Sequence, residues 1–405
     1  MLAQNDCRQD DYQQQLLRKF PQLHAQYEKI ESFQRKHRYP LIVGGAIDTT
    51  AASMALLPVP DKIIIPVVVH IVFGTAEQNI SDARVLSQLD VLNKDFNGLN
   101  ADRNKIPAYF SMLSADCSIL FVLAKTDPQG RPATGIVRKQ TSTGIFGFDD
   151  KIKSTASGGD DAWDARSYLN IWVCNLSAGI SGYASAPGCP PANDGIVIST
   201  GAFGVTGTSG PFNGGRTAVH ETGHWLSLRH IWGDAGCGDD KVDDTPPQQG
   251  ANRGCNTGEK FSCGTSAHGD MYMNFMDFSD DACMYMFTKG QRQRMRTLFE
   301  TGGPRNSLLY SPALSGEGLK LPLTPEGLTG FEIQLYPNPA SNSIMVQLDG
   351  INCLGKKIYI CNHLGQIIKM SVATAKLQQI DISALHAGLY FIQLEGVGSK
   401  KFVKQ

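Results

Sequence analysis

Apolar residues recur along this 405-residue chain at two periods, and the change between them marks its elements. Ile63 to Phe73 (IIIPVVVHIVF) is a continuous, β-branched run and predicts a buried strand. His70, inside that run, reads as a satisfied core or edge residue rather than a ligand. From Ser81 to Phe96 the apolar positions are Val85, Leu86, Leu89, Leu92 and Phe96, with Ser81 and Asp82 able to cap, which predicts a helix. Cys117–Leu123, Tyr168–Val173 and Gly195–Ser199 read as further strands. This order suggests a twisted sheet with helices stacked on it. Thr288-Lys-Gly-Gln291 is a capping box that opens a helix to about Glu300.

Two flanking regions have a different texture. Asp11 to Arg38 is charged and glutamine-rich, with Leu16, Leu17, Phe20, Leu23, Tyr27 and Ile30 spaced as one amphipathic helix that needs a partner surface. Gly44-Gly45 to Pro60 reads as linker. Proline and glycine punctuate 301–330 without a helical period. After Phe331, short alternating runs at Ser343–Leu348, Lys357–Cys361, Gln366–Met370 and Gly388–Leu394 predict a small β-sandwich.

Composition narrows the function. A net charge of -1 gives no electrostatic case for nucleic acid or an acidic membrane surface. No run of eighteen apolar residues is present, so no transmembrane span is expected. Ten cysteines are too few for a disulfide scaffold, but their clustering at 237–283 suggests an oxidising compartment. No signal peptide is visible; Met1-Leu-Ala-Gln is expected to follow a removed one or to be an artificial start.

The chemistry concentrates in His220-Glu-Thr-Gly-His-Trp-Leu-Ser-Leu-Arg-His230. Residues four apart share a helical face, so His220 and His224 can grip one metal ion while Glu221 addresses its bound water. His230 reaches the same ion only if the chain turns after His224. Three imidazoles and an open position are the donor set of a catalytic zinc site, with Glu221 as general base. Asp234, Asp239, Asp240, Asp243 and Asp244 follow within eleven residues; the run is either a solvated acidic loop or a calcium site. Cys7 is either an unpaired thiol or a latency switch that fills the open zinc position. Cys237, Cys255, Cys263 and Cys283 allow three pairings.

The stretch from Gly215 to Asp234 resembles the metzincin zinc helix, and specifically that of pappalysin-family (cytophagalysin-like) metallopeptidases. IPVVVHIVF, NIWVCNLSAGISGYA, VDDTPPQ and NFMDFSDDACMYMFTKGQ resemble the same family, over about 60–310, and CRQDDYQQQLL resembles its propeptide start. The resemblance implies an α+β protein: a metzincin-type catalytic domain with a twisted mixed sheet, helices and an irregular carboxy-terminal half. It also implies calcium as a structural ion, with Asp243 and Thr245 as first choices, and the disulfides Cys237–Cys263 and Cys255–Cys283. Met276 aligns with the methionine under the three histidines, and Asp281 with an S1′ carboxylate that favours Lys or Arg after the cut bond; Asp281 is otherwise a loop cap. YPNPAS, Asn362-His-Leu-Gly365, Ile382-Ser-Ala-Leu385, Gly388-Leu-Tyr-Phe-Ile and Lys400-Lys401 resemble a type IX secretion sorting domain, alternatively an accessory binding module. Expected domains are a propeptide at 1–60, a catalytic domain at 61–312, a linker at 313–330 and the sorting domain at 331–405. The maturation cut is expected between Ala46 and Lys62.

Two positions depart from the family pattern. Ser227 stands where glycine turns the chain toward the third histidine, a cost of roughly 1–2 kcal/mol. Phe278 stands where a tyrosine hydroxyl supports the oxyanion, a loss worth about 100- to 1000-fold in rate unless Tyr272 or Tyr285 substitutes. The expected function is a secreted zinc endopeptidase made as a zymogen, acting on proteins or peptides and exported to the medium or cell surface through its carboxy-terminal domain. An exported binding protein on an impaired protease scaffold is the alternative, and a metal-dependent amidase or esterase the enzymatic one.

Overall fold

The structure, a computed structural model, describes residues 6–7, 9–37, 59–205, 210–264, 267–314, 332–349, 355–362, 367–394 and 398–405. The 44–58 linker, most of the 313–330 linker, Cys353 and the 363–365 turn lie outside them, as does most of the span expected to hold the maturation cut. The chain forms two compact units: residues up to 59 with 63–318, and 319–405 with 60–62.

In the first unit, β1 (Asp6–Cys7) precedes two helices, α1 (Gln9–Lys19) and α2 (Leu23–Lys36). The single helix expected here is divided, because Pro21 has no N–H to donate and disfavours helix at Phe20. Next come β2 (Ile63–Phe73), α3 (Asp82–Phe96), the short α4 (Ala108–Ser111), β3 (Ile119–Leu123) and β4 (Ile136–Gln140). After them follow β5 (Leu169–Cys174), β6 (Ile180–Ala184), β7 (Ile196–Ser199), α5 (Arg216–Trp225) and α6 (Lys289–Thr297). The Ser81 side chain accepts from Arg84 N and caps α3, and the capping box of Thr288 and Gln291 opens α6. Beyond Thr297 the chain runs to Glu300 in tighter i→i+3 turns.

The sheet has the order β1-β6-β7-β5-β2-β3, with β4 also pairing β2. The long β2 serves two parallel partners in succession, β3 along Ile63–Val67 and β4 along Val69–Phe73. β4 and β6 were not foreseen. β6 (ISGYA) has no apolar run, yet all five of its residues are buried. Alternation along the strands sorts the side chains. Ile65, Val67, Val69 and Ile71 join Val85, Leu92 and Phe96 of α3 and Val219 of α5 in the main core. Val72, Trp172, Cys174, Tyr183 and Val197 form a second cluster with Tyr12, Leu16 and Leu23 of α1 and α2. His70 is fully buried; its Nδ1 lies 2.7 Å from Asp160 Oδ2 and its Nε2 3.1 Å from Asn170 Oδ1.

The second unit contains β8 (Glu332–Tyr336), β9 (Ser343–Asp349), β10 (Lys357–Asn362), β11 (Ile367–Val372), β12 (Leu377–Asp381), β13 (Gly388–Leu394) and β14 (Gly398–Lys404). They form two antiparallel sheets, β11-β10-β13-β14 and β12-β9-β8. Alternate residues Ile344, Val346 and Leu348 from one sheet, and Ile358, Ile360, Ile392, Leu394 and Phe402 from the other, make one core, as in a sandwich. No helix among the described residues is long and apolar enough to cross a membrane.

Candidate metal centre

Helix α5 ends in a motif that decides where the third histidine goes. Ser227 N donates to His224 O (2.8 Å) and Leu228 N to Gly223 O (2.9 Å), the paired bonds of a Schellman C-cap. Ser227 occupies its left-handed position with φ 72°, the conformation glycine adopts without cost. Its carbonyl accepts from Arg294 Nε (2.8 Å), and its hydroxyl donates to Gln34 Oε1 on α2 (3.0 Å).

The turn returns His230 to the helix. His224 Nε2 lies 3.0 Å from His220 Nε2 and 3.1 Å from His230 Nε2. Each ring is oriented from behind: His220 Nδ1 bonds Phe275 O (2.7 Å), His224 Nδ1 bonds Leu228 O (2.9 Å) and His230 Nδ1 bonds Asp234 Oδ1 (2.5 Å). Those acceptors fix the proton on Nδ1, so three Nε2 lone pairs point at one spot. Burial and the neighbouring His230 drive His220 down to about 3, and burial drives His224 in the same direction, so both rings are neutral. Lone pairs converging this closely repel one another unless a cation lies between them, and neutral imidazole is a zinc donor. The residues present therefore fit a zinc ion.

Cys7 completes the cluster: its sulfur and the three imidazoles lie within 4.8 Å of one another. It arrives on β1, which pairs parallel with β6 so that Cys7 stands opposite Gly182. Burial, followed by the charge of Glu221, pushes its thiol well above the usual range. Glu221 is fully buried, its carboxylate faces the Cys7 thiol, and no N–H or hydroxyl group bonds either oxygen. Burial pushes its carboxyl up to about 8. Met276 is fully buried below; a Cβ on Gly223 would lie 2.4 Å from its sulfur.

Asp281 has two faces. Its Oδ2 accepts from Gly214 N (2.8 Å) and Arg216 N (3.1 Å), which caps the N-terminus of α5. Its Oδ1 has no partner, and the residue lines a small cleft with Cys7, Thr217, His220, Glu221 and Phe278. Burial pushes its carboxyl up to about 6, against the pull of the two N–H bonds and the Arg216 charge. Arg216 braces the arrangement, donating to Asp95 (3.2 Å), to both oxygens of Asp102 (2.6 and 2.8 Å) and to the Asp281 carbonyl. Sequence reading missed Arg216 and Gly182, and placed Asp234 in the acidic loop rather than behind His230. Only Asp234 carried a local signal, an acid four residues after His230.

Phe278 stands among aromatic rings, 4.9 Å from both His230 and Trp232 and 5.5 Å from His220, centroid to centroid. Tyr272 and Tyr285, the expected substitutes for its missing hydroxyl, pack instead in a separate cluster with Phe110, Ile231 and Met286. The disulfides are Cys237–Cys263 and Cys255–Cys283, with Cα separations of 5.9 and 5.5 Å. In the acidic loop, Thr245 Oγ1 lies 2.9 Å from both Asp240 oxygens and from Val242 O. Asp240 is buried, and burial pushes its carboxyl up to about 7. Asp243 is exposed, while Asp244 caps α6 by accepting from Thr288 Oγ1 (2.6 Å) and Gly290 N (2.8 Å).

The proteins that this chain is similar to include metallopeptidases. Residues 153–300 match the pregnancy-associated plasma protein-A peptidase family, and residues 334–405 match the secretion system C-terminal sorting domain. An extracellular metalloprotease of Pyricularia oryzae is 31% identical over 258 residues, 62% of this chain and 79% of that protein. Mature mirolysin of Tannerella forsythia in complex with a cleaved peptide is 48% identical with a TM-score of 0.60, over 61% of this chain and 96% of that one. A Tannerella forsythia promirolysin mutant is 41% identical with a TM-score of 0.66, over 76% and 97%. The α+β fold and the two family matches agree: the chain is a secreted or cell-surface metalloendopeptidase of the pappalysin (pregnancy-associated plasma protein-A) family, with a type IX secretion sorting domain at its carboxy-terminal end.

Proposed function

We propose that His220, His224 and His230 hold zinc and that Glu221 is the general base and acid of peptide-bond hydrolysis. The convergence of three Nε2 lone pairs beside a buried carboxylate that no N–H or hydroxyl group bonds carries this reading. A bound zinc ion supplies Lewis acidity, which acidifies a water and polarises a peptide carbonyl. Glu221 takes the water's proton and returns it to the leaving amine. Met276 holds the histidine platform from below, an apolar floor that fixes ring positions. Asp281, with one oxygen committed to the α5 N-terminus and the other free, pairs with a Lys or Arg after the cut bond.

Residues 1–60 serve as the propeptide of a latent zymogen, with Cys7 as the fourth zinc ligand; a cation among the four groups is what turns such a thiol into a thiolate. The cut that removes this segment falls between Ala46 and Lys62. Residues 61–312 are the catalytic domain, 313–330 the linker and 331–405 the domain that directs export. Calcium at the acidic loop, with Asp243 and Thr245 among its ligands, braces the irregular half that the two disulfides also tie down. The test is Glu221→Ala: it retains one zinc per chain and loses turnover. Cleavage by that variant would remove Glu221 from its role.

A further inference from the structure

The N-terminal segment is held most deeply away from the metal. Tyr12 of α1 is fully buried, its ring centroid 4.6 Å from that of Tyr183. Its hydroxyl donates to Asp150 (2.9 Å to Oδ1) and accepts from Lys153 Nζ (2.9 Å). Asp150 and Lys153 are themselves a buried ion pair at 3.0 Å, with side chains 4% and 1% exposed. Asn193 closes the ring, its Nδ2 donating to Asp150 (2.8 Å) and its carbonyl accepting from Lys153 (2.7 Å). Lys153 Nζ also lies 5.4 Å from the Trp172 ring and 5.2 Å from that of Tyr183. A group that fills this socket must donate to a carboxylate and accept from an ammonium through one atom on a flat apolar ring. A phenol meets that demand; a phenylalanine ring does not.

Other anchors act along the same segment. Ala184 N donates to Gln9 Oε1 (3.1 Å), and Leu16 and Leu23 are buried against the sheet. Glu31 takes both ends of the Arg294 guanidinium (3.0 and 2.7 Å), and Gln34 donates to Arg294 O (2.9 Å). Ile30 sits on Gly188, where a Cβ would come within 2.7 Å of its Cδ1. None of these contacts passes through the cysteine or the histidines.

We propose that Asp150, Lys153, Trp172 and Tyr183 form a tyrosine-recognition site of the peptidase unit, and that residues 6–37 remain in it as a noncovalent inhibitor after the chain is cut between Ala46 and Lys62. This rests on the reading of residues 1–60 as a propeptide. Cutting the linker is then insufficient for activation, and the freed segment must dissociate or be destroyed.

The test uses the full chain with a recognition sequence for an unrelated, site-specific protease placed within 44–58. After nicking, gel filtration reads retention of the segment, and a quenched peptide with Arg after the cut bond reads activity. The nicked parent chain keeps the segment and stays latent until diluted or until the segment is digested. Tyr12→Phe keeps the ring and loses both hydroxyl bonds to charged groups, so its segment is released at roughly 10- to 100-fold higher protein concentration. Cys7→Ser keeps co-eluting with its segment. The proposal is overturned if the nicked parent sheds the segment and is fully active at once, if Tyr12→Phe retains it as the parent does, or if Cys7→Ser alone releases it. A chain that stays inert with zinc bound after the segment is digested would instead refute the peptidase mechanism, while co-elution still decides the socket.

Discussion

Gly182 of β6 and Glu221 of α5 are in close contact: a Cβ on Gly182 would lie 2.9 Å from Glu221 Cγ and 3.1 Å from Oε1. The same glycine would meet Val197 O at 3.0 Å, so neither backbone nor carboxylate can yield cheaply. Gly182→Ala should therefore displace the proposed catalytic carboxylate while leaving the three proposed zinc histidines in place. A displacement of about 1 Å costs roughly 100-fold in rate. Zinc content should stay at one per chain while kcat falls; unchanged kcat would mean that Glu221 has room to move.

The proposed pairing of Asp281 with a basic residue after the cut bond predicts a selectivity that depends on pH. Burial raises its carboxyl to about 6, so it is charged above that pH and neutral below it. Preference for Lys or Arg over Leu after the cut bond should be largest at pH 7–8 and decline as pH falls through 6. Comparing kcat/KM for two peptides that differ only at that position cancels the titration of Glu221. A ratio that stays flat from pH 5 to 8 would separate Asp281 from the preference.

Ser227 couples the zinc helix to the N-terminal segment. In a form lacking residues 1–60 its hydroxyl loses Gln34 and keeps a long bond from Arg294 Nη2 (3.4 Å), while the strain of φ 72° remains. Ser227→Gly should stabilise that form by roughly 1 kcal/mol. In the full chain the same change removes a hydrogen bond to the segment and offsets the gain. Thermal melting of both forms tests this; a lower Tm in the shortened form would contradict it.

The Cys255–Cys283 disulfide ends two residues beyond Asp281 and closes a loop with a sequence separation of 28. Replacing both cysteines with serine should cost about 2–4 kcal/mol. The preference for a basic residue should weaken before zinc is lost, because Asp281 lies next to the bridge and the histidines are held from Phe275, Leu228 and Asp234. Equal loss of zinc and preference would show that the bridge holds the whole site.

Local signals made much of the fold and site legible. The run Ile63–Phe73 is one strand from end to end, and His220, His224 and Glu221 follow from helical spacing alone. What stayed hidden depends on distant partners. Gly182 lies in a strand without an apolar run, and its meaning comes from a helix that begins more than thirty residues later. Tyr12 is one aromatic in a charged helix, and its socket is built from Asp150, Lys153 and Tyr183. Asp281 was read as pocket carboxylate or cap, and one oxygen serves as the cap while the other has no partner. Pro21 divides the N-terminal helix, although the apolar spacing from Leu16 to Ile30 runs across it without a break.

The most direct test is cleavage-site profiling by mass spectrometry, with the chain freed of residues 1–60 acting on a mixed peptide library in the presence of zinc and calcium, beside Glu221→Ala. Cuts clustered before Lys and Arg, and absent from the variant, are the predicted result. Zinc bound without any cut, or cuts that persist in Glu221→Ala, would contradict the account.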